Sequence, residues 1–129
     1  MTVDFKAEVE KRKDAMMEDL FALLRINSER DDSKADKEHP FGPGPVKALE
    51  HFLAMAERDG YKTRNIDNYA GDFEFGEGDE VLGIFAHLDV VPAGSGWDTD
   101  LMSQLSKMDA FMRVDHLMIK VQQWHVTMP

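Results

Sequence analysis

The chain has 129 residues, with 15 Lys and Arg against 25 Asp and Glu, a net charge of −10 that excludes a basic nucleic-acid footprint, and a length that leaves room for one domain at most. Cys is absent, which excludes disulfides, thiolate nucleophiles and Cys-held zinc, so any catalysis must come from His, carboxylates, hydroxyls or a metal that they hold. No apolar run approaches the ~18 residues of a membrane span, and the charged opening MTVDFKAEVEKRKD is not a signal peptide, so the expectation is a cytoplasmic protein without membrane or nucleic-acid partners.

Phe5, Val9, Met16, Leu20, Leu23 and Leu24 recur at helical spacing behind the acids Asp4 and Glu8, which predicts an amphipathic helix over residues 3–26. Residues 27–39 are polar and aperiodic and read as an exposed loop leading into the breaker PFGPGP at 40–45. Pro45 suits a first helical position, and Val46, Leu49, Phe52, Leu53 and Ala56 predict a second helix stopped by Gly60, a left-handed cap. Residues 61–66 alternate as a strand, Asp67 and Asn68 supply turn chemistry, and Tyr69, Gly71, Phe73 and Phe75 share one face of a returning strand, which makes a hairpin. After the GEGD turn at 76–79, VLGIFAHLDVVP at 81–92 is a nearly continuous apolar run of the kind buried on both faces of a sheet. Helix, helix, hairpin and buried strand define an α/β layered fold.

Two residues near the end of that run can carry chemistry. His87 and Asp89 are two apart, so in a strand both side chains take the same face. A metal-bound imidazole usually gives its second N–H to a carboxylate, and an Asp two residues on can accept it. Ends of buried strands are also where open α/β sheets place ligands. A core histidine beside a capping Asp fits the same pair. His39 in the polar loop and His51 on the second helix read as solvated or packing residues rather than ligands.

The string LGIFAHLDVVPAGSGWDTD at 82–100 resembles the zinc-dependent exopeptidases, a family of carboxypeptidases, aminoacylases, dipeptidases and desuccinylases. It carries the apolar strand, His87, one residue, Asp89, Val90-Val91-Pro92, then the Gly-rich Gly94-Ser95-Gly96 and Trp97. Arg58-Asp59-Gly60-Tyr61 and Asp67-Asn68-Tyr69-Ala70-Gly71 are similar to the PepV-type (Xaa-His) dipeptidase branch. The resemblance covers residues 3–100 and implies an α/β fold that is the truncated N-terminal part of a zinc-peptidase-like α/β/α catalytic domain. It implies that His87 is a zinc ligand and Asp89 the catalytic acid that orients it, in a longer parent that cleaves dipeptides with two zinc ions. The family's other ligands, its general-base Glu and its lid domain fall beyond Asp100, so the truncated chain is expected to be inactive, with its oligomeric state open. The alternatives are a deacylase or desuccinylase of the same family, and a small acidic non-enzymatic binding module.

Residues 101–129 are written differently. All nine Gly and four of the five Pro lie in residues 1–100, which carry 23 acids and 12 bases. The last 29 residues hold five of the nine Met and only 2 acids against 3 bases, the composition of neither a flexible linker nor a charged tail. A one-base displacement accounts for them. Each residue of such a tail fixes the second and third bases of a lost codon and leaves only the first base loose. His116, Leu117, Met118, Ile119, Lys120 and Val121 then complete as TCA, TCT, GAT, GAT, AAA and GGT, which spells SSDDKG. Over the whole tail the recovered text is PYEPVIKDGRIYARGSSDDKGPTMACYYA, similar to the family's own continuation with its bridging Asp restored in place of Met118. Loss of one C from GAC CCT TAT gives the observed Asp100-Leu101-Met102. The expectation is therefore a partial metallopeptidase domain at 1–100 and an out-of-frame, loosely attached tail at 101–129, in which His116 and His125 are accidental.

Overall fold

The computed structural model describes residues 3–92, 94 and 95; the expectations for Gly96, Trp97 and the 101–129 tail lie outside the described residues. Asp4 opens the first helix, α1 (Phe5–Leu24), where its Oδ1 accepts the Ala7 N–H at 3.1 Å and satisfies one of the orphan donors of the first turn. The predicted helix is present, but its apolar stripe is covered only at its end. Leu23 and Leu24 are buried, whereas Phe5 (77% exposed), Val9 and Met16 face solvent, because no described element lies against the first half of α1.

The segment after α1 is largely exposed, as its polarity predicts, with one exception at Ser28. It contains a 3₁₀ turn at Asp32–Lys34, capped by Asp31 Oδ1 on the Ser33 N–H, and within it Ser28 is completely buried. Gly42 then caps α2 (Pro43–Arg58), with Pro43 rather than Pro45 in the first turn's leading position. The helix ends as its sequence predicts. Gly60, at φ +90°, gives its N–H to Glu57 O at 3.0 Å, and the Tyr61 N–H reaches Ala56 O at 3.0 Å, the paired bonds of a Schellman cap.

A type I′ turn at Asp67 and Asn68, both at positive φ, joins β1 (Lys62–Ile66) to β2 (Ala70–Glu74) in an antiparallel pair with Arg64 opposite Asp72 and Lys62 opposite Glu74. Asn65 Oδ1 accepts the Asn68 N–H at 2.9 Å, and Asn68 Nδ2 donates to Glu38 O at 2.7 Å, which ties the turn to the loop before α2. Part of the predicted apolar face of the hairpin meets α2: Gly71 lies against Leu49 and Leu53, and Phe73 lies 5.8 Å, ring to ring, from Phe52 and 5.4 Å from Tyr61, whereas Tyr69 and Phe75 remain exposed. Val46, Ala48, Leu49, Leu53 and Ala56 form the buried face of α2 and, with Leu23, Leu24 and Val90, make up the described core. Burying each Val or Leu of that set contributes about 1.5–3 kcal/mol before entropy is counted. Arg58 closes the far end by donating to both carboxylate oxygens of Asp19 on α1, at 2.7 and 2.8 Å.

The architecture is thus a small α/β fragment of two helices and a two-stranded antiparallel sheet. The strand expected at 81–92, buried on both faces, is corrected by the structure. The segment joins no sheet: Val81 is 91% exposed and Phe85 93%, with Leu82, Ile84 and Val91 also open to solvent, and only Val90 is buried. The physical reason is that a strand apolar on both faces needs neighbours on both edges and layers above and below. Among the described residues it finds a single parallel bridge, Val90 with Glu29.

Candidate functional site

His87 and Asp89 stand near the end of that extended segment, and the structure brings them together. His87 Nδ1 lies 3.0 Å from the Asp89 carbonyl oxygen and 3.1 Å from Asp89 Oδ1. A carbonyl and a carboxylate oxygen can only accept, so in this geometry Nδ1 carries the proton. In the neutral ring Nε2 then carries the lone pair, which is the arrangement a metal-ligating imidazole adopts when a carboxylate fixes its tautomer. Both side chains are about half exposed, at 43% and 57%, so the pair sits in water rather than in a cleft.

The pair does not extend into a fuller site. Among the described residues no three His, Asp or Glu side chains converge so as to hold a metal ion. The donor chemistry of His87 fits one metal position, with Asp89 behind it, where a catalytic zinc takes about three protein ligands and a water.

The other histidines lie on separate elements. His39 Nδ1 is 2.9 Å from Asp36 Oδ1, which also accepts the backbone N–H groups of His39 (2.7 Å) and Glu38 (2.8 Å). Those bonds, led by the His39 N–H, hold the Asp36 carboxyl below the usual carboxylate range. This is a loop-closing turn of the kind Asp forms with the backbone two or three residues on. His51 is half-buried on α2, with its Nε2 enclosed and without a hydrogen-bond partner among the described residues, in keeping with a packing role. His116 and His125 lie outside the described residues.

Two residues that matter to the site carry no signal in the sequence pattern. Ser28 Oγ donates to Leu88 O at 2.6 Å, and Ser28 O accepts the Val90 N–H at 3.2 Å, so one buried residue holds the backbone on either side of Asp89. Gly44, in the first turn of α2, lets that turn approach: a Cβ there would stand 2.2 Å from Asn27 O and 3.3 Å from Ser28 Cα. A serine in a polar stretch looks solvated. The one available hint is its place two residues after Ile26, at the end of the apolar Leu23, Leu24 and Ile26.

No protein-family profile matches the chain. Curated proteins do. The chain is 46% identical over 108 residues to a Staphylococcus haemolyticus protein, 50% identical over 96 residues to one from Staphylococcus saprophyticus, and 45% identical over 108 residues to one from Staphylococcus aureus strain USA300. Each of the three bears the name "Putative dipeptidase". The similarity takes in 74–84% of this chain but only 20–23% of those proteins, so the chain spans about a fifth to a quarter of the length of the relatives it matches.

Proposed function

We propose that this chain is the N-terminal part of a metal-dependent dipeptidase, in which His87 is a metal ligand and Asp89 the acid that orients it, and that residues 1–129 by themselves are catalytically silent. The observation that carries the reading is the 45–50% identity to proteins bearing a dipeptidase name. The His87–Asp89 geometry supports it, since Nδ1 is turned to the carboxylate and the lone pair of the neutral ring is on Nε2. Zinc is one of the ions that an imidazole donor suits, and held by His87 together with the ligands of a longer chain it would polarise a scissile carbonyl and lower the pKa of a bound water. What the chain's own residues do is narrower. Asp89 holds the imidazole in one tautomer and one orientation by accepting from Nδ1. A single imidazole with a carboxylate behind it makes a weak site, so hydrolysis requires the ligands and proton acceptor that a longer chain supplies.

The frame reading of residues 101–129 gives the test. Restoring one C after the codon for Asp100 should replace the tail with PYEPVIKDGRIYARGSSDDKGPTMACYYA and open into the remainder of the parent. The repaired protein should hydrolyse dipeptides only with a divalent metal and lose that activity in His87→Ala and Asp89→Asn, whereas the unrepaired chain should show no hydrolysis and no tight zinc site dependent on His87. A repaired protein that folds and cleaves no dipeptide, or downstream DNA without a continuation, would sink the reading. One observation favours the alternative of a binding module: the solvent-facing apolar segment at Val81, Leu82, Ile84 and Phe85 is a surface that a partner could use. The repaired protein separates the two, because the dipeptidase reading requires those side chains to become buried in it. A deacylase or desuccinylase of the same kind is separated by offering the repaired protein N-acyl amino acids beside dipeptides.

A further inference from the structure

We infer that Ser28 is a positioning residue for the His87–Asp89 pair, an inference that rests on the reading of those two residues as a metal-ligand dyad. Ser28 is the one buried polar residue among those described, with no surface exposed to water. It is sixty residues from the segment it holds, and it holds it twice. Its hydroxyl donates to Leu88 O at 2.6 Å and its carbonyl accepts the Val90 N–H at 3.2 Å. Leu88 and Val90 flank Asp89, so the two bonds fix both peptide planes that meet at the Asp89 Cα, and Leu88 links the first of them to His87.

Residues 81–86 have no comparable restraint among the described residues. Residues 81–86 make no hydrogen bond to any other described residue, and their side chains face solvent. The restraint on the backbone at Asp89 is therefore supplied by Ser28, from outside the extended segment. Ser28 is in turn pinned from both sides. Asn27 Oδ1 accepts the Glu29 N–H at 3.1 Å, the turn that bends the chain at Ser28, and the first turn of α2 closes over it through the missing side chain of Gly44. A buried hydroxyl without a partner is costly, so the Oγ–Leu88 bond is also the condition for Ser28 to remain where it is. Removing the hydroxyl leaves the Leu88 carbonyl without its donor and loosens the Leu88–Asp89 peptide, while the backbone bond from Val90 remains. His87 Nδ1 then loses its fixed relation to both Asp89 oxygens.

The test reads the imidazole itself, in the chain as it stands and without metal. Ring-nitrogen NMR shifts of His87 are recorded at alkaline pH, where imidazoles are neutral, for the unsubstituted chain, Ser28→Ala and Ser28→Thr. The unsubstituted chain and Ser28→Thr should show the Nδ1–H tautomer. In Ser28→Ala both ring-nitrogen resonances should move toward the averaged positions of free histidine, with the cross-strand contacts of the 62–74 hairpin unchanged. Unmoved His87 nitrogens in Ser28→Ala overturn the proposal. So does loss of the hairpin contacts in that variant, because Ser28 would then serve stability alone. Failure of this test is distinct from failure of the dipeptidase reading, which is decided by hydrolysis in the frame-repaired protein.

Discussion

Gly44→Ala is the sharpest perturbation the structure offers, because the change adds one methyl group and its surroundings are backbone. Gly44 has no positive φ, so alanine is acceptable to its own conformation and, on helix propensity alone, should stabilise α2 by up to about 1 kcal/mol. Packing opposes this. The new Cβ would fall 2.2 Å from Asn27 O, 3.2 Å from Asn27 C and 3.3 Å from Ser28 Cα, and a peptide oxygen cannot step aside as the tip of a long side chain can. Overpacking of this kind costs about 1–3 kcal/mol and occasionally more, and a backbone clash belongs at the upper end. The net is a loss of about 2 kcal/mol, which for a folded unit of this size lowers Tm by roughly 8–16 °C. Thermal unfolding followed by circular dichroism measures it, and amide exchange at Val90 should accelerate in step, since the clash is with the carbonyl of the Asn27–Ser28 peptide and Ser28 holds Val90. Gly60→Ala is the control. It has open space around the added methyl but a φ of +90°, so it should cost only the conformational penalty of about 1–2 kcal/mol and leave Val90 protected. A Tm for Gly44→Ala equal to or above that of the unsubstituted chain would refute the packing argument.

Two further predictions concern the helix junction and the exposed segment. Hydrogen bonds from Arg58 hold the Asp19 carboxyl below the usual carboxylate range. A depressed folded pKa contributes stability that is present above the unfolded value and lost as pH falls through the folded one. The urea midpoint of Asp19→Asn should therefore lie below that of the unsubstituted chain near neutrality, and the gap should close below about pH 4; a gap independent of pH would count against the pair. The apolar, uncharged residues 81–86 should make the chain self-associate with concentration, and more so in salt, which screens the net charge of −10. Phe85→Lys should abolish that association in sedimentation equilibrium, and unchanged association would exclude this segment as its cause.

Where local chemistry decides structure, the sequence is legible. Gly60 stops α2 because the two residues beyond the helix need a left-handed link, and Asp67-Asn68 turns the hairpin because both residues tolerate positive φ. The spacing of Val46, Leu49, Leu53 and Ala56 marks a face that the hairpin then covers. Where the outcome depends on neighbours, legibility ends. Phe5, Val9 and Met16 have the periodicity of a buried stripe, and residues 81–86 the apolarity of a central strand, yet periodicity states only what a segment is able to bury. His87 and Asp89 are readable as a pair because a spacing of two is a local property. Their restraint by Ser28 is a contact across sixty residues, and its sequence signature is a small polar residue in a polar loop.

The short reach of the contacts around α2 sets an order of assembly. Helix α2 packs on β1 and β2, which follow it within sixteen residues, so residues 43–74 close through local loops and can form while the chain is still being synthesised. The Ser28 clasp has to wait. It requires residues 88 and 90 to meet a loop laid down some sixty residues earlier, with the loop-closure entropy that this separation entails. On a ribosome, the platform is therefore complete before the residues it will position have left the exit tunnel, and His87 and Asp89 find their places after it.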